Sequence, residues 1–132
     1  MKRYGMVIKV KPEGLKEYKR LHANPRSEVN RILKKCGFTN FSIFEKDYYL
    51  FGYFEFEGED VNKAMKEMEE YPIYKEWLKL CDPLQEPLAS RKKGEWWAFM
   101  EEVFHLDWLG FCKKFISSAI LLNYYWVDIE IM

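Results

Sequence analysis

Two runs rich in aromatic residues, Phe38 to Glu45 and Tyr48 to Phe56, flank the short polar stretch Lys46-Asp47, and no other feature restricts the fold as strongly. Rings and β-branched residues at alternating positions on both sides of a polar turn read as an antiparallel hairpin. In the second run Tyr49, Phe51 and Tyr53 alternate with Leu50, Phe54 and Phe56. Both faces of this strand are therefore apolar, and a sheet built on it must be covered twice.

The flanking segments supply the first cover. From Lys2 to Val10, Tyr4, Met6, Ile8 and Val10 alternate with Arg3, Gly5, Val7 and Lys9, which predicts a strand ended by Pro12 and Gly14. Leu15, Tyr18 and His22 then recur at helical spacing up to Asn24-Pro25. Ser27 is the expected cap of a second helical run carrying Val29, Ile32, Leu33 and Cys36, closed by Gly37. After the hairpin, Glu57-Gly58-Glu59 breaks the strand and Asp60 caps a helix through Ala64, Met65 and Met68, which stops at Tyr71-Pro72. One or two further helical turns carry Ile73, Trp77, Leu78 and Cys81 as far as Asp82-Pro83, and Pro87 with Ser90 to Gly94 forms a polar loop. Trp96 to Leu106 reads as a long last strand. The order is β-α-β-β-α-β, an α+β, ferredoxin-like arrangement with an antiparallel four-stranded sheet and its helices on one face. The second face is left for a second protomer, with C2 symmetry as the default.

At 132 residues the chain is expected to form one domain. Lys+Arg and Asp+Glu balance at 21 each, which argues against nucleic acid or a membrane as partner and for a small neutral or polar ligand. Aromatic residues make up 18%, which suits a stacking pocket or a subunit interface. Cys36, Cys81 and Cys112 lack metal-ligand spacing and no signal peptide is recognisable, so reduced thiols and a cytoplasmic location are expected. The apolar stretch Phe115 to Val127 is too short for a membrane span and reads as an extra cover for apolar surface.

Candidate chemistry begins with Tyr18 and His22, four residues apart and thus neighbours on one helix face, just before the bend at Asn24-Pro25. Imidazole exchanges protons near neutral pH, which makes His22 the first candidate for acid–base work. His105, in the last strand, is expected to be a core or strand-end residue, and Trp77 to be either core or a sugar platform. No glycine-rich phosphate loop, metal-ligand histidine pair or glycine-flanked serine is present, so neither cofactor nor metal is expected.

Tyr18-x-x-x-His22, the following Asn24-Pro25-x-x-Glu28, Asn40-Phe41 and the ending Glu101 to Leu106 together resemble the L-rhamnose mutarotase family. The resemblance covers about residues 1–107 and leaves 108–132 as an apolar C-terminal extension. It implies a cytoplasmic, homodimeric α/β-barrel enzyme of rhamnose metabolism that interconverts the α and β anomers of L-rhamnose or a related 6-deoxy sugar. It further implies that no cofactor or metal takes part. By the same resemblance His22 is the proton donor and Tyr18 a catalytic and sugar-contacting residue. Phe41 stands where the family has a tyrosine facing the sugar, and Glu76-Trp77 where it has a Trp-Trp pair. On this reading Trp77 stacks on the sugar, and Glu76 binds a hydroxyl or acts as base. Arg26-Ser27 replaces a common Trp-Pro. A cofactor-free monooxygenase and a non-catalytic binding module are alternatives on the same fold; the first calls for a larger apolar pocket, the second for an enclosed His22.

Overall fold

The computed structural model describes residues 1–24 and 26–106. The first strand, β1 (Lys2–Val10), lies at the centre of the sheet, as expected from its buried Met6, Ile8 and Val10. Two short helices follow, α1 (Leu15–Ala23) and α2 (Ser27–Lys35), then the hairpin β2 (Phe38–Lys46) and β3 (Tyr49–Phe56). Helices α3 (Val61–Glu69) and α4 (Pro72–Cys81) lead to β4 (Gln85–Glu86) and β5 (Ala98–Met100). The strand order is β2-β3-β1-β4, β5 also pairs with β1, and every pairing is antiparallel. The β-α-β-β-α-β order thus holds, with each α a pair of helices. Met1–Glu102 is one unit; a second begins at Val103. The expectation for Phe115 to Val127, and the bend residue Pro25 itself, lie outside the described residues.

Helices pack on one face only. Met6, Phe38, Phe54 and Phe56 meet Ile32 of α2 and Val61, Ala64 and Met68 of α3, while Ile8, Val10 and Leu50 enclose Tyr18 of α1. The opposite face is open only towards the hairpin, since Val7 and Ala98 at its far side are 9% and 7% exposed. Phe44 pairs with Phe51, Phe51 with Val7 and Val7 with Ala98, and Phe44 and Phe51 are 65% and 38% exposed.

Three sequence expectations need correction. The last strand is Ala98–Met100 and not Trp96 to Leu106, because the β1 edge is shared: β4 takes Lys9 and Val10, leaving Gly5, Met6 and Val7 for β5. His105 is accordingly neither core nor strand; it is exposed beyond β5. Ser27 does not cap α2. It is the first helical residue, and the N-cap Arg26 makes no side-chain cap bond. The helix after Pro72 carries Ile73, Trp77, Leu78 and Cys81 and ends at Asp82-Pro83 as expected, at ten residues slightly longer than two turns.

The hairpin turn is centred on Asp47 and Tyr48, both at positive φ (52° and 66°), as a tight two-residue turn requires. A bulge interrupts the pairing of β2 between Thr39 and Ser42, with Asn40 at φ 47° and its side chain bonded to Glu55. One extra residue reverses which side chains face inward. Phe38 faces the helices, and after the bulge so do Phe41, Ile43 and Glu45.

Asp60 does cap its helix, its Oδ1 accepting the Lys63 N–H at 3.0 Å. Asp60→Ala is expected to cost about 1 kcal/mol in urea unfolding, whereas Ser27→Ala, which removes no cap bond, is expected to leave the midpoint nearly unchanged.

Candidate active site

Helix α1 crosses the helix-side face of the hairpin near its turn, and a cavity of about 350 Å³ opens between them. Leu15, Tyr18, Lys19 and His22 of α1 line it with Ile43 and Glu45 of β2 and Leu50 of β3. The volume lies within the range of small-molecule sites. Its floor is apolar and its polar groups are few: an imidazole, a carboxylate and an ammonium.

The helical spacing brings Tyr18 and His22 together as expected, their rings stacked 4.1 Å apart at 25°. Tyr18 is 4% exposed, and burial raises its hydroxyl well above the usual phenol range; a hydrogen bond to the Gln85 side chain offsets part of that rise. A phenol so placed is a poor acid at neutral pH and acts through its ring and a neutral hydroxyl. His22 is half-buried. Its Nδ1 lies 2.9 Å from the Tyr18 carbonyl oxygen, and since a carbonyl only accepts, Nδ1 carries the proton and Nε2 keeps the lone pair. Burial lowers the His22 pKa below its ordinary 6.5, against a smaller opposing effect of that backbone bond. The imidazole is therefore neutral near pH 7, a base with Nε2 as its lone pair.

Trp77 meets the imidazole edge-on, 5.0 Å between centroids at 66°, from α4. Its ring thus flanks His22 but does not line the cavity. Glu76 is exposed on the same helix, its carboxylate accepting from Lys79 Nζ at 2.8 Å, and is not brought to the cavity. Phe41 faces the helix side, yet it stacks on fully buried Phe54 (5.3 Å, 16°) against the main core and likewise does not line the cavity.

Several residues here were not singled out from the sequence. Lys19 and Glu45 form an ion pair across the cavity, Lys19 Nζ to Glu45 Oε2 at 3.1 Å. Gln85, 5% exposed, accepts from Trp96 Nε1 at 2.8 Å and steadies the strand behind Tyr18. Lys19 stands three residues before His22 and was readable as its neighbour on the helix. Glu45 was not, because plain alternation from Phe38 turns it to the opposite face.

The fold and cavity define a ferredoxin-like α+β protein whose helix-side pocket is lined by an imidazole. The chain belongs to the L-rhamnose mutarotase family, whose model matches residues 3–106. This makes it an enzyme of the isomerase class. It is 34% identical to the UPF0734 protein of Dictyostelium discoideum over 73% of this chain and 81% of that protein. To the L-rhamnose mutarotase of Oceanobacillus iheyensis it is 33% identical over 81% of this chain and 100% of the relative. Among solved structures it is similar to the L-rhamnose mutarotase of Formosa agariphila, with a TM-score of 0.63 at 20% identity over 81% of this chain and 100% of that one. The tetracenomycin F2 cyclase of Streptomyces glaucescens gives the same TM-score, 0.63, at 13% identity over 81% of this chain and 98% of that one. The fold alone thus does not choose an activity.

Because Phe41 packs on Phe54 and away from the cavity, Phe41→Tyr is expected to leave affinity for a sugar ligand within about twofold, less than a full hydrogen bond would confer. Titration of both proteins by ligand-observed NMR checks this.

Proposed function

We propose that this chain interconverts the α and β anomers of L-rhamnose or a close 6-deoxy relative, with His22 carrying the proton between the anomeric hydroxyl and the ring oxygen. The observation that carries this reading, beside family membership, is the neutral His22 lining a polar-tipped cavity with Nδ1 already committed. Nε2 takes the proton of the C1 hydroxyl while the C1–ring oxygen bond breaks and C1 becomes an aldehyde. The imidazolium so formed, made more acidic by burial, returns the proton to the departing ring oxygen. Rotation about C1–C2 presents the other aldehyde face, and the reverse steps close the ring with His22 neutral again. No atom is gained or lost. Tyr18 supports the imidazole from below, and Trp77 holds its edge.

General acid–base help of this kind contributes about 10²–10⁴-fold, enough for a reaction that already proceeds slowly in water. His22→Ala is expected to lower catalysed anomer exchange, measured by NMR exchange spectroscopy, by about that factor with the fold retained. In the wild-type protein the neutral imidazole is the active form. A lowered pKa therefore centres the acid limb of kcat/KM below the ordinary 6.5 of a histidine; a limb centred above it would count against His22 as the base.

The exposed cross-strand pair Phe44 and Phe51 supports a homodimer with sheet faces opposed, which would remove these rings from water. Phe51→Asp is expected to shift the protein towards monomer in sedimentation; a wild-type monomer at micromolar concentration would refute the arrangement. The free thiols of Cys36 and Cys81 support a cytoplasmic location. Among the described residues no helix is long and apolar enough to cross a membrane.

A further inference from the structure

The proton shuttle leaves two charges in the cavity unused. Glu45 Oε2 faces Lys19 Nζ at 3.1 Å, and Glu45 Oε1 accepts the Tyr48 backbone N–H, also at 3.1 Å. The N–H of Tyr48, followed by Lys19, holds this carboxyl below the usual range, so it is ionised at neutral pH. The Glu45 side chain is 23% exposed and that of Lys19 59%: a fixed anion inside, with a movable cation above it. The pair differs from the other ion pairs on the helices. Arg20–Glu17 and Lys79–Glu76 are three residues apart on one helix, whereas Lys19–Glu45 joins α1 to β2 across a cavity that both residues line with His22. Glu45 is there only because the bulge at Asn40 turns it inward. With His22 neutral, the charges lining this cavity sum to zero.

We propose that Lys19 and Glu45 form the hydroxyl clamp of the sugar site and restrict it to neutral aldoses, excluding acidic ones. The inference rests on the sugar reading of the same cavity. The carboxylate accepts from one hydroxyl of the pyranose while the ammonium donates to the oxygen of its neighbour, a matched pair for two adjacent hydroxyls. A sugar carboxylate placed there would find Lys19 already paired with Glu45 at 3.1 Å and would have to approach an ionised carboxylate to reach it. That repulsion rejects it, and loss of Glu45's charge removes the rejection.

The test uses the full chain and Glu45→Gln, Glu45→Asp and Lys19→Gln, each checked for an unchanged melting transition. Catalysed exchange is measured with L-rhamnose and with D-galacturonate as the acidic probe. Hydrogen bonds to charged groups are the strong ones, so Glu45→Gln is expected to raise KM for L-rhamnose by roughly tenfold with kcat little changed. The same variant is expected to gain exchange of galacturonate, shrinking the neutral-to-acidic preference by roughly tenfold or more. Lys19→Gln is expected to raise KM for L-rhamnose and keep galacturonate excluded. Glu45→Asp, which keeps the charge, is expected to keep the exclusion as well, and its result stands even where the glutamine variant fails to fold. Unchanged KM and unchanged preference in folded Glu45 and Lys19 variants would overturn the clamp while leaving the mutarotase reading intact. A fall in kcat alone would also overturn it, by moving Glu45 into proton transfer. Absence of exchange by the wild-type protein with L-rhamnose would instead overturn the function, and the clamp with it.

Discussion

Everything at the site depends on the burial of one ring. Tyr18 fills a pocket made by Ile8, Val10 and Leu50, three residues that are themselves almost fully enclosed. An aromatic side chain packed in this way anchors α1 at one angle and one height above the hairpin. One helical turn later, His22 has no choice of position. Its ring lies on that of Tyr18, its Nδ1 is taken by the Tyr18 carbonyl, and Trp77 closes its edge. The apolar core thus sets the imidazole's position, tautomer and charge, and the chemistry then needs little else.

The same anchoring accounts for the division of the molecule into two faces. Helices α1 to α4 spend their apolar stripes on the side of Met6, Ile8, Phe54 and Phe56, so the cavity has to form on that side, where α1 leaves the hairpin turn uncovered. The pair Phe44 and Phe51 takes no part in it and remains as apolar surface.

Much of this was legible in the chain. Alternation in Lys2 to Val10 and in the two aromatic runs placed the strands, because a half-buried strand writes its inner face at every second residue. The spacing of Tyr18 and His22 announced their contact for the parallel reason on a helix. What escaped is local and has specific causes. The bulge at Asn40 breaks period two inside β2, and a single inserted residue has no signature in a pattern of apolar positions. Glu45 therefore reached the cavity unannounced. The Trp96 to Leu106 stretch alternates well enough for a strand, but alternation does not say that Gln85 and Glu86 already hold part of the edge it would pair with. Phe41 stands at a position that the family resemblance gives to the sugar, and its ring went to Phe54.

The central claim is that packing presents His22 as a neutral base with Nδ1 protonated and Nε2 open to the sugar. The chain has two histidines, so nitrogen-15 NMR of the labelled imidazoles reads His22 directly, with His22→Gln to assign it. The account predicts a neutral Nδ1–H tautomer at pH 7 and a saturable shift of Nε2 on titration with L-rhamnose, His105 staying unmoved. A neutral ring with the proton on Nε2, or an Nε2 signal that does not respond to the sugar, would contradict it.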